Sequence, residues 1–283
     1  MRSFLLLLCI VGVAALSRPP GKSVTVAHRP PLLPREEFLH ILGASHQQLV
    51  ADYFWIQAIQ AIGTAQTAEE YRDIFDYADL ITNLDRNFIS VYRYCAPTIP
   101  VNLGREVWVN TAESTQLLEK GVSVAPRDIF LRILLAYNQS YYHKHYQRAA
   151  QLLEETAKIP GSPRYLPVLA TRLYAQSGHV EAGLALARSL FETSEDPQTQ
   201  QTFERRIKEL ELERTLESID AAVSTYLKRE GRLPSRLEDL VAKGDLPEMP
   251  FDPLGGHLSI GSDGHSKSTA LARRLIVYEP HQN

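Results

Sequence analysis

Two histidines one residue apart, in His143-Lys144-His145, raise the question of a metal site. A helix offers two imidazoles to one ion at i and i+4. At i and i+2 the side chains point to different sides of a helical or turn backbone. The pair is therefore predicted to sit in a polar turn beside Tyr141, Tyr142 and Tyr146, without a metal. Cys95 is the only cysteine outside the N-terminal apolar run that holds Cys9. It has no partner for an intramolecular disulfide and is predicted to be a small buried apolar residue. Glu69-Glu70 and Glu154-Glu155 fall on solvent-facing helical phases, not in the convergent arrangement that acid–base catalysis requires. The sequence has no GxSxG elbow, phosphate-binding glycine loop, HExxH helix or dinucleotide glycine set. No enzymatic activity and no cofactor are expected. Asn138-Gln-Ser matches a glycosylation acceptor but lies inside a predicted helix.

Composition narrows the class further. The chain has 283 residues, a formal net charge of −3 and 22% charged residues, so it lacks the basic excess of a nucleic-acid binder. At the N-terminus, Arg2 precedes an apolar run from Phe4 to Leu16, followed by Ala15-Leu16-Ser17. This is the order of a signal peptide, and the run is short against the ~20 residues of a comfortable membrane span. Residues 1–17 are read as a signal peptide or N-terminal anchor, and 18–34 as a Pro-rich linker. The expected location is the periplasm or cell envelope of a bacterium, with membrane contact only through a retained N-terminal segment.

From residue 35 onward the apolar residues recur with helical period. Thr67 and Glu70 form a capping-box pattern before "AEEYRDIFDYADLITNL". Small and large residues then alternate at fixed spacing. Tyr71, Phe75 and Ala78 are followed by Ser114, Leu118 and Gly121, by Ala149, Leu153 and Thr156, and by Gly183, Ala187 and Leu190. Ser114, Ala149 and Gly183 stand 35 and 34 residues apart. Pro126, Pro160 and Pro197 close their units, and Trp55, Tyr174 and Gly178 occupy first-helix and turn positions. This period and pattern resemble the tetratricopeptide repeat over residues 47 to 197. The resemblance implies stacked two-helix units, with an insertion, "TIPVNLGREVWVN", in the second. Residues 35–197 are assigned to the repeats.

Residues 198–230 read as one long helix, or two abutted ones, stopped by Gly231. Its first part is the expected cap of the stack. Residues 231–283 follow as a small module. A short helix from Ser235 to Ala242 is predicted, capped by Ser235 with Glu238, and a small β-hairpin after it. Gly231, Pro234, Leu237, Leu240, Pro250, Asp252, Pro253, Gly255, Gly256, Gly261, Asp263 and Gly264 together resemble the C-terminal region of type II secretion major pseudopilins. In that family this loop can hold Ca²⁺, which implies Asp252 and Asp263 as ligands. Two carboxylates are few for a six-to-eight-coordinate ion. The plainer reading is that Asp252-Pro253 and Asp263-Gly264 shape turns.

The expected fold is mainly α: a hairpin solenoid, a long capping helix and a small α+β tail. The repeat resemblance implies a concave groove for a peptide or partner helix, and repeat phase selects Tyr137, Tyr141, Arg172 and Gln176 to line it. The expected function is an envelope scaffold binding protein partners, accessory to type IV pilus or type II secretion assembly. The alternatives are a structural spacer and a non-catalytic helical subunit of an envelope enzyme.

Overall fold

In the computed structural model the described residues are 28–35, 38–39 and 46–275. The signal-peptide reading, most of the linker and the last eight residues lie outside them. The chain divides at residues 33 and 34 into two units. The first contributes 28–33, which carry no regular element. Everything below belongs to the second, which is mainly α.

Four pairs of helices follow in order. The first is α1 (Gln47–Thr64) and α2 (Ala68–Leu84). Thr67 caps α2 as expected, its hydroxyl accepting from Glu70 N–H at 3.3 Å while the Glu70 carboxylate accepts from Thr67 N–H at 3.1 Å. The helix before it ends at Thr64, one residue beyond Gly63. The second pair is α3 (Ile89–Cys95) and α4 (Thr111–Val124). Between them the predicted insertion forms an antiparallel ribbon of β1 (Val101–Asn102) and β2 (Trp108–Val109), with Val101 opposite Val109. The third pair is α5 (Ile129–Tyr141) and α6 (Tyr146–Ala157), and the fourth is α7 (Leu166–Gln176) and α8 (Val180–Thr193). Each helix from α4 to α8 packs on the next.

The small residues of the repeating pattern sit where helices approach most closely. A Cβ added to Gly183 would stand 3.0 Å from the Thr171 carbonyl oxygen, and one on Gly121 would meet the Tyr92 ring at 2.9 Å. Ser114 is fully buried and donates its hydroxyl to the Ala96 carbonyl at 2.7 Å, tying α4 to the end of α3. Asn138 is buried and donates to the hydroxyls of Ser114 at 2.8 Å and Thr115 at 3.1 Å. Cys95 is buried too, and that burial pushes its thiol up to about 12.

Helix α9 (Pro197–Glu230) is continuous for 34 residues, a length of about 50 Å. Asp196 caps its start by accepting from Thr199 N–H at 3.2 Å, and Gly231, left-handed at φ 71°, ends it. Its two halves bury different stripes. Phe203 and Leu210 pack with Val180, Leu184 and Ala187 of α8, covering the last hairpin. Leu216, Ile219, Val223 and Tyr226 pack with Leu237, Leu240 and Leu246 of the tail. The tail helix α10 spans Leu237–Ala242, two residues shorter than expected. Its first turn is closed by Asp239, not Glu238: the Asp239 carboxylate accepts from the N–H groups of Ser235 and Arg236, each at 3.0 Å. An antiparallel ribbon of β3 (Leu258–Ile260) and β4 (Ser266–Ser268) completes the module.

Candidate protein-interaction site

Tyr137 and Tyr141 lie one turn apart on α5, half-exposed at 47% and 43%. Their rings stack at 5.1 Å with an interplanar angle of 16°. Tyr142 stands edge-on to both, at 5.6 and 5.2 Å. Burial, then the neighbouring Tyr137 and Tyr141, push its phenol up to about 12, so it stays a neutral donor in any ordinary buffer. The inserted β-ribbon adds Trp108, whose ring meets Tyr141 at 5.8 Å and Tyr142 at 5.1 Å. Its indole Nε1 is buried and has no acceptor among the described residues. Lys144 places its ammonium 5.8 Å from the Tyr141 ring centroid. Four aromatic rings and one cation therefore form a semi-exposed wall of the kind that anchors protein partners.

Arg172 and Gln176 lie on α7, Arg172 exposed and Gln176 half-buried. Neither takes part in the tyrosine stack. The four residues chosen by repeat phase thus fall into two groups, an aromatic one on α5 and a polar one on α7. Arg206 of α9 follows Arg172 by 34 residues, so the periodicity of the repeats continues into α9. Burial lowers the Arg206 pKa, and the charges of Arg172 and Arg205 lower it further against the opposing pull of Glu209. Sequence reasoning treated α9 only as a cap and passed over Arg206, although the 34-residue phase reached it. It also passed over Trp108, for which no repeat position exists inside an insertion.

His143 and His145 do occupy the turn between α5 and α6, with Lys144 in the left-handed region at φ 58°. They do not point apart as the sequence spacing suggested. Their rings stack at 5.8 Å with an interplanar angle of 27°, because the left-handed Lys144 turns the backbone between them. Each ring also has its own partner: His143 Nε2 lies 2.8 Å from the Thr115 hydroxyl, and His145 Nδ1 lies 2.9 Å from Gln139 Oε1. Among the described residues no group of three or more His, Cys, Asp or Glu side chains is placed to hold a metal ion.

Asp252 and Asp263 hold different turns. Asp252 is buried and accepts from Leu254 N–H at 2.7 Å and from the Ser268 hydroxyl. Asp263 is exposed, accepting from His265 N–H at 3.2 Å and pairing with Lys267 at 3.2 Å. The His265 N–H and then Lys267 hold its carboxyl below the usual carboxylate range.

No family model, curated protein or solved structure matches the chain. No helix among the described residues is long and apolar enough to cross a membrane.

Proposed function

We propose that the chain is a tetratricopeptide-like scaffold of the bacterial cell envelope that binds protein partners along the exposed sides of its first helices. The observation that carries this reading is the Tyr137–Tyr141 stack, half-exposed and backed by Trp108. A contiguous cluster of half-exposed rings supports use as an interaction surface, because covering their apolar faces is favourable in water. The regular succession of helix pairs and the close approaches at Gly121 and Gly183 support the repeat assignment. The turn chemistry of Asp252 and the glycines of residues 231–275 support the pseudopilin-like assignment of the tail. Together they favour an accessory role in type IV pilus or type II secretion assembly, without catalysis and without a required cofactor.

The test is crosslinking of the native envelope with wild-type chain and with Tyr141→Ala, followed by identification of the neighbours. Loss of a wild-type neighbour in the variant, with an unchanged melting temperature, supports groove recognition. An identical set of neighbours makes the chain a spacer.

A further inference from the structure

A second apolar surface lies at the start of α5, about 16 Å along that helix from the end of the tyrosine wall. A groove of about 910 Å³ runs from Arg93 of α3, past the first turn of α5, to Tyr165 just before α7. Pro126, Phe130, Ile133, Pro163 and Tyr165 give it apolar walls. Phe130 and Tyr165 come from successive helix pairs, line the same groove and remain 50% and 56% exposed. Prolines have no N–H, so neither Pro126 nor Pro163 brings a backbone donor that a ligand would have to satisfy. Covering such a surface is favourable in water.

The charge on the groove is one-sided. Two guanidiniums, of Arg93 and Arg127, border it against one carboxylate, that of Asp128. That carboxylate is already engaged at both oxygens. Its Oδ2 accepts from Arg93 at 2.6 Å, and its Oδ1 caps α5 by accepting from Leu131 N–H at 3.1 Å. The Asp128 side chain is only 8% exposed, so it offers little negative charge to a ligand. Arg93 is neutralised by this pair, and its guanidinium carbon stands 5.9 Å from the Phe130 ring centroid. Arg127 is exposed and has no ion pair among the described residues. A ligand entering the groove therefore meets apolar side chains and one unpaired fork of donors, which prefers a carboxylate.

We propose that this groove binds a peptide segment in which a large apolar side chain stands beside an acidic one. The apolar group lies between Phe130 and Tyr165, and the carboxylate pairs with Arg127. Charge complementarity selects this occupant. An uncharged segment leaves Arg127 without a counter-ion, and a basic one is repelled by it. The proposal rests on the partner-binding reading above and adds a surface that shares no residue with the tyrosine wall.

The test uses the full chain and three fluorescein-labelled nine-residue peptides, followed by anisotropy. One is a Gly-Phe-Glu repeat, one has Gln for Glu, and one has Ala for Phe. The Phe-Glu peptide is expected to bind, and each counterpart to bind about tenfold or more weaker, as loss of a charged hydrogen bond or a covered ring would give. Arg127→Gln is expected to weaken the Phe-Glu peptide by the same factor and to leave the Phe-Gln peptide within about twofold. Its melting temperature should match the wild type, because the side chain is exposed and unpaired among the described residues. Phe130→Ala is expected to weaken both Phe peptides, and where it melts early Tyr165→Ala replaces it. Tyr141→Ala should hold the Phe-Glu peptide within about twofold, even where it loses its neighbours in the envelope, so the two readings can fail separately. No binding of the Phe-Glu peptide, equal binding of either counterpart, or full binding by Arg127→Gln overturns the proposal. Loss of the peptide in Tyr141→Ala overturns it as well, by moving the site to the tyrosine wall. A dimer in light scattering that Phe130→Ala dissociates also overturns it, by filling the groove with a second copy.

Discussion

Arg274 and Glu213, 61 residues apart in sequence, form an ion pair whose carboxylate is fully buried. Glu213 is fully buried in the middle of α9, and its Oε1 receives Arg274 Nη2 at 2.5 Å and Nε at 2.9 Å. Its other oxygen receives Leu275 N–H at 3.0 Å. Arg274 also reaches Asp220 at 2.5 Å, and Asp220 accepts from Ser266 N–H at 2.7 Å. Burial works against the guanidinium's charge, but Glu213 and Asp220 outweigh it and raise the Arg274 pKa above its ordinary value. This clasp holds the last described stretch of chain against α9.

Glu213→Gln is expected to destabilise the junction by about 1.5–3 kcal/mol, because it removes one of the two carboxylates that share the Arg274 guanidinium and leaves Asp220 as the other. Replacing both Glu213 and Arg274 by apolar residues of similar volume should cost much less. Urea unfolding of the single and double variants measures the difference. Equal losses in both would show that packing, not charge, closes the clasp.

The close helix approaches give a second expectation, with opposite signs at two glycines. Gly183→Ala must push against the Thr171 carbonyl, which is backbone and cannot swing away, and is expected to cost about 1–3 kcal/mol. Gly63→Ala meets nothing within 4 Å near the end of α1 and is expected to stabilise by about 0.4–1 kcal/mol. Chemical denaturation of the two variants reads both. A neutral Gly183→Ala would remove the packing reason for the small residue.

Stability should depend on pH through the turn between α5 and α6. Burial, then the facing His145, lower the His143 pKa, while Glu119 opposes them. A histidine whose folded pKa is depressed binds its proton more readily when unfolded. Its contribution is full above the ordinary value of about 6.5 and is lost as pH falls through the lower folded value. The melting temperature of the wild type should therefore drop between pH 7.5 and 5 by more than that of His143→Gln. Parallel curves would mean that the stacked pair does not titrate with folding.

Calcium at the tail loop would have to compete with Leu254 N–H and the Ser268 hydroxyl for Asp252, and with Lys267 for Asp263. No saturable heat is expected when CaCl₂ is titrated into the full chain. Saturable heat that disappears in Asp252→Asn would place the ion there instead.

The aromatic wall was legible only in part. Tyr137, Tyr141 and Arg172 follow from helical phase, a property of neighbours along one chain. Trp108 reaches Tyr141 and Tyr142 only because a two-stranded ribbon folds back across the end of α5. No periodicity carries that information. Repeat phase did contain Arg206, but the burial of its Nε is a matter of tertiary packing.

Residue order alone determined the local elements: the Thr67–Glu70 cap, the stop at Gly231, the succession of amphipathic helices and the small residues at their contacts. Each depends on interactions within a few residues, where spacing is geometry. Tertiary structure decided which distant groups share a dry environment. It set Arg274 on Glu213, stacked His143 on His145, and split α9 between two cores. Those pairings depend on crossing angles and chain paths, and charge balance in a buried site is known only once every neighbour has been placed.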